Sequence, residues 1–332
     1  MTKVAIFPAS GKLGTSIYTY LLTKIDPKDL ILISRNPDKT PKKYVDAGVT
    51  LRRADYDFAE SLERAFDHVD CLVLISYPTL EDEIRFTIQK RTIDAARRSS
   101  VSHIFYTSLA FGGDCTSHTA AHVMRAHLKT ENYLHSLASD DTSPKFTYTS
   151  IREGLYAESW PMYTGFFNIK DESHPSDEIR IPHDGSGPGI AWAKLDELGE
   201  ASAELVREYL TTGRSNTPFR YTNKVMLLSG PRAYSLNETA EILGKIKAGG
   251  VKQQVRVKEI SVDEYAATEI VREEVGSHAP KGREAGEPAR KWATVFEAIR
   301  KGETEVTAAE ELERLLGRKP TGFEDVVRES LV

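Results

Sequence analysis

Small residues gather in Val4-Ala-Ile-Phe-Pro8-Ala-Ser10-Gly11-Lys-Leu-Gly14, where an apolar run gives way to a helical one. At a strand–loop–helix junction of this kind, backbone N–H groups can approach an anion and the positive helix end favours its charge. That is the chemistry of a pyrophosphate grip. It marks Ser10, Gly11, Lys12, Leu13 and Gly14 as candidates, with Gly11 allowing close approach and Gly14 allowing helix and strand to pack. An ordinary βα turn is the plainer alternative for so short a glycine pattern. About twenty residues on, Ile33-Ser34-Arg35-Asn36 offers no carboxylate to ribose hydroxyls. Arg35, with Lys39, Lys42 and Lys43 behind it, suits a 2′-phosphate through charge-assisted hydrogen bonds. The expected ligand is therefore NADP(H), the alternative being a solvated basic turn. In Ala54-Asp55-Tyr56-Asp57, Asp55 suits either the adenine amino group or a helix cap. Tyr56, Ser76, Thr107 and Gly154 complete the expected cofactor set.

Ser108 follows the fifth apolar run, where its hydroxyl could meet a substrate oxygen or the carboxamide, or simply cap the next segment. His118 and His122 share a helical spacing near Cys115, but no carboxylate of the His-Glu-x-x-His kind accompanies them, and no metal site is expected. Tyr77 and Tyr106 are expected to touch substrate. The cluster Tyr156, Trp160, Tyr163, Phe166 and Phe167 reads equally well as a stacking wall for a planar substrate or as the core joining two lobes.

The elements that must position these residues alternate. Short apolar runs at Lys3–Phe7, Leu30–Ser34, Thr50–Ala54, Cys71–Ile75, His103–Thr107 and Thr147–Arg152 read as strands. Between them Gly11–Leu22, Ser61–Phe66, Glu81–Ser99 and Ala120–Leu137 read as helices, and Ile84, Ile88, Ile93 and Ala96 give the third its sheet-facing side. The simplest topology is an α/β, doubly wound parallel-sheet Rossmann fold with a smaller, mainly helical C-terminal substrate lobe. The nucleotide domain is expected over 1–155, with returning segments near 190–232, and the substrate lobe over 156–189 and 233–332. Asp171 to Gly189 reads as irregular loop, Leu195–Tyr209 as helix and Lys224–Ser229 as strand. Ser235–Ala248 reads as a helix with Ser235 as N-cap and Glu238 at its third position, and Gly276–Glu287 as a mobile loop.

With 332 residues, 40% hydrophobic and 28% charged, the chain is globular and long enough for a sizeable core. Forty-four basic and 49 acidic residues give a net charge of -5, with no polybasic run, so no nucleic-acid partner is expected. No apolar stretch approaches the ~20 residues of a membrane span. Two cysteines and no secretory leader pattern fit a cytoplasmic location.

The segments Pro8-Ala-Ser-Gly-Lys-Leu-Gly14, Ser34-Arg-Asn-Pro37, Ala54-Asp-Tyr-Asp57, Phe105-Tyr-Thr-Ser108, His127-Leu-Lys-Thr-Glu131 and Ile151-Arg-Glu-Gly-Leu-Tyr156 stand in an order that resembles the NmrA-like branch of the atypical short-chain dehydrogenases. Leu228-Ser-Gly-Pro231 and Gly317-Arg-Lys-Pro-Thr321 extend the resemblance over nearly the whole chain. It implies an NADP-preferring nucleotide domain and a smaller substrate lobe, in a family of isoflavone-type and quinone-type reductases and of dinucleotide-sensing regulators. Pro8 departs from the family's usual Gly; it fixes φ and donates no N–H. The Tyr-x-x-x-Lys pair of ordinary short-chain dehydrogenases, lined up by Glu131, falls on Val123 and His127, so the proton-giving Tyr is missing. His127 stands where the quinone-type relatives resemble this chain in having His. It could hold a ribose hydroxyl or pass a proton, or be a structural His. The resemblance thus implies an NADPH-dependent reductase of conjugated or aromatic acceptors, such as a quinone, enone or aromatic carbonyl. Ser108, His122, His127 or water would stabilise the delocalised oxygen that gains charge. The alternative is an NADP(H)-sensing regulator that presents its C-terminal lobe to a protein partner. An epimerase or lyase is disfavoured by the missing Tyr, and a homodimer is left open.

Overall fold

The computed structural model describes residues 2–140, 145–170, 177–212, 218–247, 255–277 and 286–331. In chain order the elements are β1 (Val4–Phe7), α1 (Gly11–Leu21), β2 (Leu30–Ser34), α2 (Lys42–Asp46), β3 (Thr50–Arg53), β4 (Cys71–Ile75), α3 (Asp82–Arg98), β5 (His103–Leu109), α4 (His122–Ala138), β6 (Thr147–Glu153) and α5 (Trp160–Tyr163). There follow β7 (Glu178–Ile181), α6 (Leu195–Thr212), β8 (Lys224–Leu228), α7 (Leu236–Lys247), β9 (Arg256–Glu259), α8 (Val262–Ala267), α9 (Glu269–Gly276), α10 (Glu287–Arg300), α11 (Ala309–Leu316) and α12 (Phe323–Leu331).

Seven strands form one parallel sheet in the order β3-β2-β1-β4-β5-β6-β8. The inner strands are continuous apolar runs because both faces are covered, and alternate residues go to opposite sides. Val4, Ile6, Leu30, Leu32 and Val73 pack with Ile17 and Leu21 of α1 and Leu198 and Leu205 of α6. Ala5, Phe7, Ile31, Ile33, Leu72 and Leu74 pack with Ile88, Ile93 and Ala96 of α3 and Leu134 of α4. Burying each large aliphatic side chain contributes about 1.5–3 kcal/mol. The expected doubly wound α/β sheet is therefore what the chain builds.

A third cluster joins Trp160, Tyr163, Phe167, Trp192, Tyr265, Trp292, Phe296 and Phe323, among others. Glu303, just past α10, accepts hydrogen bonds from the backbone N–H groups of Gly112 (3.1 Å) and Ala120 (2.7 Å). The loop that leads into α4 is thereby tied to the C-terminal helices.

Several local expectations need correction. Ser61–Phe66 is not an α-helix; a 3-10 turn covers Ala59–Leu62. The Ser61 hydroxyl bonds the carbonyls of Asp55 and Phe58, which competes with helical hydrogen bonding. Ile84 is 38% exposed and lies off the sheet-facing side of α3. Within the expected loop 171–189, of which 171–176 lie outside the described residues, Glu178–Ile181 is a strand paired in parallel with Arg256–Glu259. Its Ile179 and Ile181 are fully buried and alternate with charged residues, a period-two signal only four residues long. Of the expected loop Gly276–Glu287, residues 278–285 lie outside the described residues, Gly276 closes α9 and Glu287 opens α10. Ser235 and Glu238 do form the expected reciprocal cap: Glu238 N–H donates to Ser235 Oγ at 3.1 Å and Ser235 N–H to Glu238 Oε2 at 2.9 Å.

Candidate active site

Strand order reverses between β1 and β4, and an open parallel sheet takes its ligand in the crevice at that switch point. There β1 hands over to α1. Ser10, its N-cap, is extended with no side-chain hydrogen bond, and the first turn carries no acidic residue, so the positive helix end is uncompensated. Gly11 has φ +84° and open space where a Cβ would stand. Gly14 is required for the opposite reason: a Cβ there would lie 2.6 Å from the Pro8 carbonyl oxygen. The Ala9 N–H donates to the Ile33 carbonyl at 2.7 Å, tying the loop to β2 despite the donor Pro8 lacks. Open donors around Gly11 and a bare helix end fit a pyrophosphate.

At the next strand end the Arg35 side chain is 70% exposed and only loosely paired, its Nε 4.0 Å from Asp55 Oδ2. Arg53 donates to the Arg35 carbonyl (3.2 Å) and pairs with Asp38 (3.0 Å). Lys12 and Lys39 are exposed on the same chain segments. Tyr56, expected at the cofactor, is instead core: its ring packs on Phe7 and its hydroxyl donates to the Ile75 carbonyl. Tyr77, expected at substrate, stacks edge-on against Tyr56 and donates to Asp57 Oδ1 at 2.8 Å.

Inward from the glycine loop lies a cavity of about 310 Å³. Leu13 brings α1 to it, Ser76 the end of β4, Thr107 and Ser108 the end of β5, Gly154 and Tyr156 the loop after β6. Leu80, Val123, Leu155, Met162, Tyr163 and Trp292 make its walls apolar, and Arg85 and His127 are the basic groups in its lining.

His127 sits on the buried face of α4, four residues before Glu131. Glu131 anchors that face: Arg152 donates to it from Nε (3.1 Å) and Nη2 (2.7 Å), deep in the protein. Tyr106 O–H lies 2.9 Å from His127 Nδ1 and 3.2 Å from Gln89 Oε1. Assigning its proton to the nearer acceptor places the imidazole proton on Nε2. Nε2 is buried with no hydrogen-bond partner. Burial, reinforced by the charges of Arg85 and Arg152, holds the imidazole well below its usual pKa, so the ring is neutral. It can donate one hydrogen bond into the cavity.

The other candidates divide. Ser108 lines the cavity, but its hydroxyl donates to Glu131 Oε1 at 2.7 Å, so it keeps only lone pairs for a ligand, such as a carboxamide N–H. Tyr106, expected at substrate, is fully buried outside the cavity lining, and its hydroxyl meets His127 Nδ1. His122 does not line the cavity; it lies at the start of α4 with Nε2 3.7 Å from Asp82 Oδ1. Of the aromatic cluster, Tyr156 and Tyr163 face the cavity, whereas Trp160, Phe166 and Phe167 belong to the C-terminal core. His118 is exposed, and among the described residues no group of three or more His, Cys, Asp and Glu could hold a metal ion.

Four contributors went unread in the sequence. Arg85 and Gln89 are one turn apart on α3, and an apolar-periodicity reading passes over polar residues on a buried face. Gln89 Oε1 accepts from Ser76 Oγ at 2.5 Å and its amide donates to Thr130 at 2.6 Å, which locks α3 to α4. Glu153 ends β6 fully buried, where desolvation raises its carboxyl to about 8; Tyr156 donates to it at 2.6 Å. Trp292 arrives from α10, far along the chain, with no local signal.

The chain as a whole resembles known proteins. The model of the NmrA-like family matches residues 1–274, and the chain belongs to that family. An NmrA-like family domain-containing oxidoreductase, flvB, of Aspergillus flavus is 27% identical over 326 residues, covering 98% of this chain and 93% of that one. Quinone oxidoreductase 2 of Escherichia coli is 28% identical over 265 residues, 80% of each. In structure the chain is similar to the NADPH complex of an Escherichia coli NADPH-dependent quinone oxidoreductase (TM-score 0.73, 24% identity, 99% of this chain and 100% of that one). It is also similar to a Citrobacter sp. triphenylmethane reductase complexed with NADP(H) (TM-score 0.70, 24% identity, 99% of each). Among the described residues no helix is long and apolar enough to cross a membrane.

Proposed function

We propose that this protein is an NADPH-dependent oxidoreductase that reduces a conjugated or aromatic small molecule, a quinone, enone or aromatic carbonyl. The observation that carries the reading is the apolar cavity that runs from Leu13 of the glycine loop to the unpartnered Nε2 of His127. The relatives named as oxidoreductases support the reaction class. Ser10 to Gly14 would hold the pyrophosphate and Arg35 the 2′-phosphate, while Thr107, Ser108 and Gly154, which line the cavity, would border the nicotinamide end. When bound, the cofactor supplies a hydride. The chain's part is to align an acceptor on the Tyr156, Tyr163 and Trp292 walls and to exclude water. His127 Nε2–H donates to the oxygen that gains charge. Residues 1–155 with 190–232 would form the nucleotide domain, and 156–189 with 233–332 the substrate lobe.

The test mixes purified protein with NADPH and a panel of quinones, enones and aromatic carbonyls while NADPH absorbance is followed. Acceptor-dependent oxidation, lowered at least tenfold in kcat by His127→Ala, is the expected result. Tight NADPH binding without oxidation by any acceptor would overturn the reading in favour of a cofactor sensor.

A further inference from the structure

Arg85 is a partly buried arginine in the lining of the cavity. Its Nε donates to Ser76 Oγ at 3.0 Å, and the groups that face its charge are the phenols of Tyr106, Tyr156 and Tyr56. It forms no ion pair with a carboxylate among the described residues, whereas Arg152 is paired bidentately with Glu131. A half-buried guanidinium without a counter-ion is costly, because desolvation is not offset by an opposite charge. Its place in the cavity wall, together with apolar Val123, Met162 and Trp292, gives the cost a use. The second polar group left over in that wall, His127 Nε2, is buried and also without a partner.

Resting on the reductase reading, we propose that Arg85 is the anion anchor of this cavity: the acceptor is a flat apolar molecule bearing an ionised oxygen, a carboxylate or an enolised hydroxyl, that docks on the guanidinium. The planar fork suits two oxygens, and apolar walls around it make the contact stronger than one in water. The orientation follows, since Ser76 holds Arg85 and is itself held by Gln89, while Tyr106 holds His127. A ligand bridging Arg85 and Nε2 would lie across the end of β4, beside the nicotinamide position. The same oxyanion chemistry could come from a cofactor phosphate, and the experiment separates the two.

The probes are a neutral methylnaphthoquinone and its ionised hydroxy analogue, assayed with native protein, Arg85→Gln and Arg85→Lys. The ratio of kcat/KM for the ionised over the neutral quinone is expected to fall about 30-fold in Arg85→Gln and to recover in large part in Arg85→Lys, as loss of a charge-assisted hydrogen bond implies. NADPH affinity, measured by calorimetry without acceptor, is expected to change far less than that ratio. An unchanged ratio overturns the proposal. So does an equal loss of NADPH affinity, which would assign Arg85 to a cofactor phosphate. If neither quinone is reduced, the reductase reading fails on its own, and calorimetric binding of the ionised quinone to the NADP+ complex decides the anchor: binding abolished by Arg85→Gln sustains it, and binding untouched by the substitution refutes it.

Discussion

Replacing Arg35 by Ser removes the cation expected to meet a 2′-phosphate while disturbing little else, because the side chain is largely solvated. At ~4 Å in a water-like medium each unit of charge pairing is worth about 1 kcal/mol, so a phosphate near two negative charges gains about 2 kcal/mol. Asp55 already takes part of the Arg35 charge at 4.0 Å, which lowers the expected loss. A net 1–2 kcal/mol corresponds to roughly 5–30-fold in affinity. Calorimetric titration of native protein and Arg35→Ser with NADPH and with NADH reads it directly. NADPH should weaken by that factor and NADH by less than about twofold. The difference should shrink in about 1 M salt, where the Debye length falls to ~3 Å. The melting temperature should not move, since an exposed ion pair contributes little. Equal weakening of both coenzymes, or an effect indifferent to salt, would refute the assignment.

Gly14→Ala places a methyl 2.6 Å from the Pro8 carbonyl oxygen, and the backbone shift should cost about 1–3 kcal/mol, visible in thermal melts together with weaker NADPH binding. Glu131→Gln leaves Arg152 charged and buried; a loss of about 3–5 kcal/mol in urea unfolding is expected, and a loss under about 1 would show that water or relaxation satisfies the guanidinium. The buried Glu153 carboxyl titrates near 8 instead of 4.5, so the native state keeps a proton that the unfolded chain releases. Its share of stability is full below the unfolded value and lost as pH rises through 8, at most about 5 kcal/mol; Glu153→Gln should flatten that slope in unfolding measured across the range. Because burial keeps His127 neutral, kcat should show no histidine inflection near 6.5; one that disappears in His127→Asn would contradict the environment described.

The nucleotide half was readable because its signals are local and repeated. Six apolar runs, each ending within two residues of the expected place, needed only the crossover rule to become a parallel sheet. The glycine loop was readable for the same reason, as its function lies in a few consecutive residues. The cavity was not, since its wall is assembled from Leu13, Arg85, His127, Tyr156 and Trp292, which no single window contains. Sequence reasoning also favoured polar side chains beside strand ends. Tyr106 and Tyr56 are expected at ligands, yet strand alternation buries Tyr106 and packing on Phe7 buries Tyr56, both in the cluster beneath α3. Tyr106 instead meets His127 Nδ1, a contact visible only when β5 and α4 are brought together.

Burial governs the protonation states around this cavity. It pushes the His127 imidazole down and the Glu153 carboxyl and Tyr156 phenol up, so all three are neutral near pH 7. Glu131, the nearby carboxylate, is covered by Arg152. Under the proposed function an acceptor gaining electron density here would meet a neutral N–H donor and one positive guanidinium, with no carboxylate among the described residues that line the cavity. Such a site is poor at rapid full protonation of a localised alkoxide, for which a phenol beside a lysine is better built. It suits a product whose charge spreads over a ring and whose basicity is low enough to wait for a proton from water. Under the proposed function, the absence of the Tyr-x-x-x-Lys pair and the polarity of the cavity therefore favour a delocalised acceptor, stabilised as an anion rather than trapped as an alcohol.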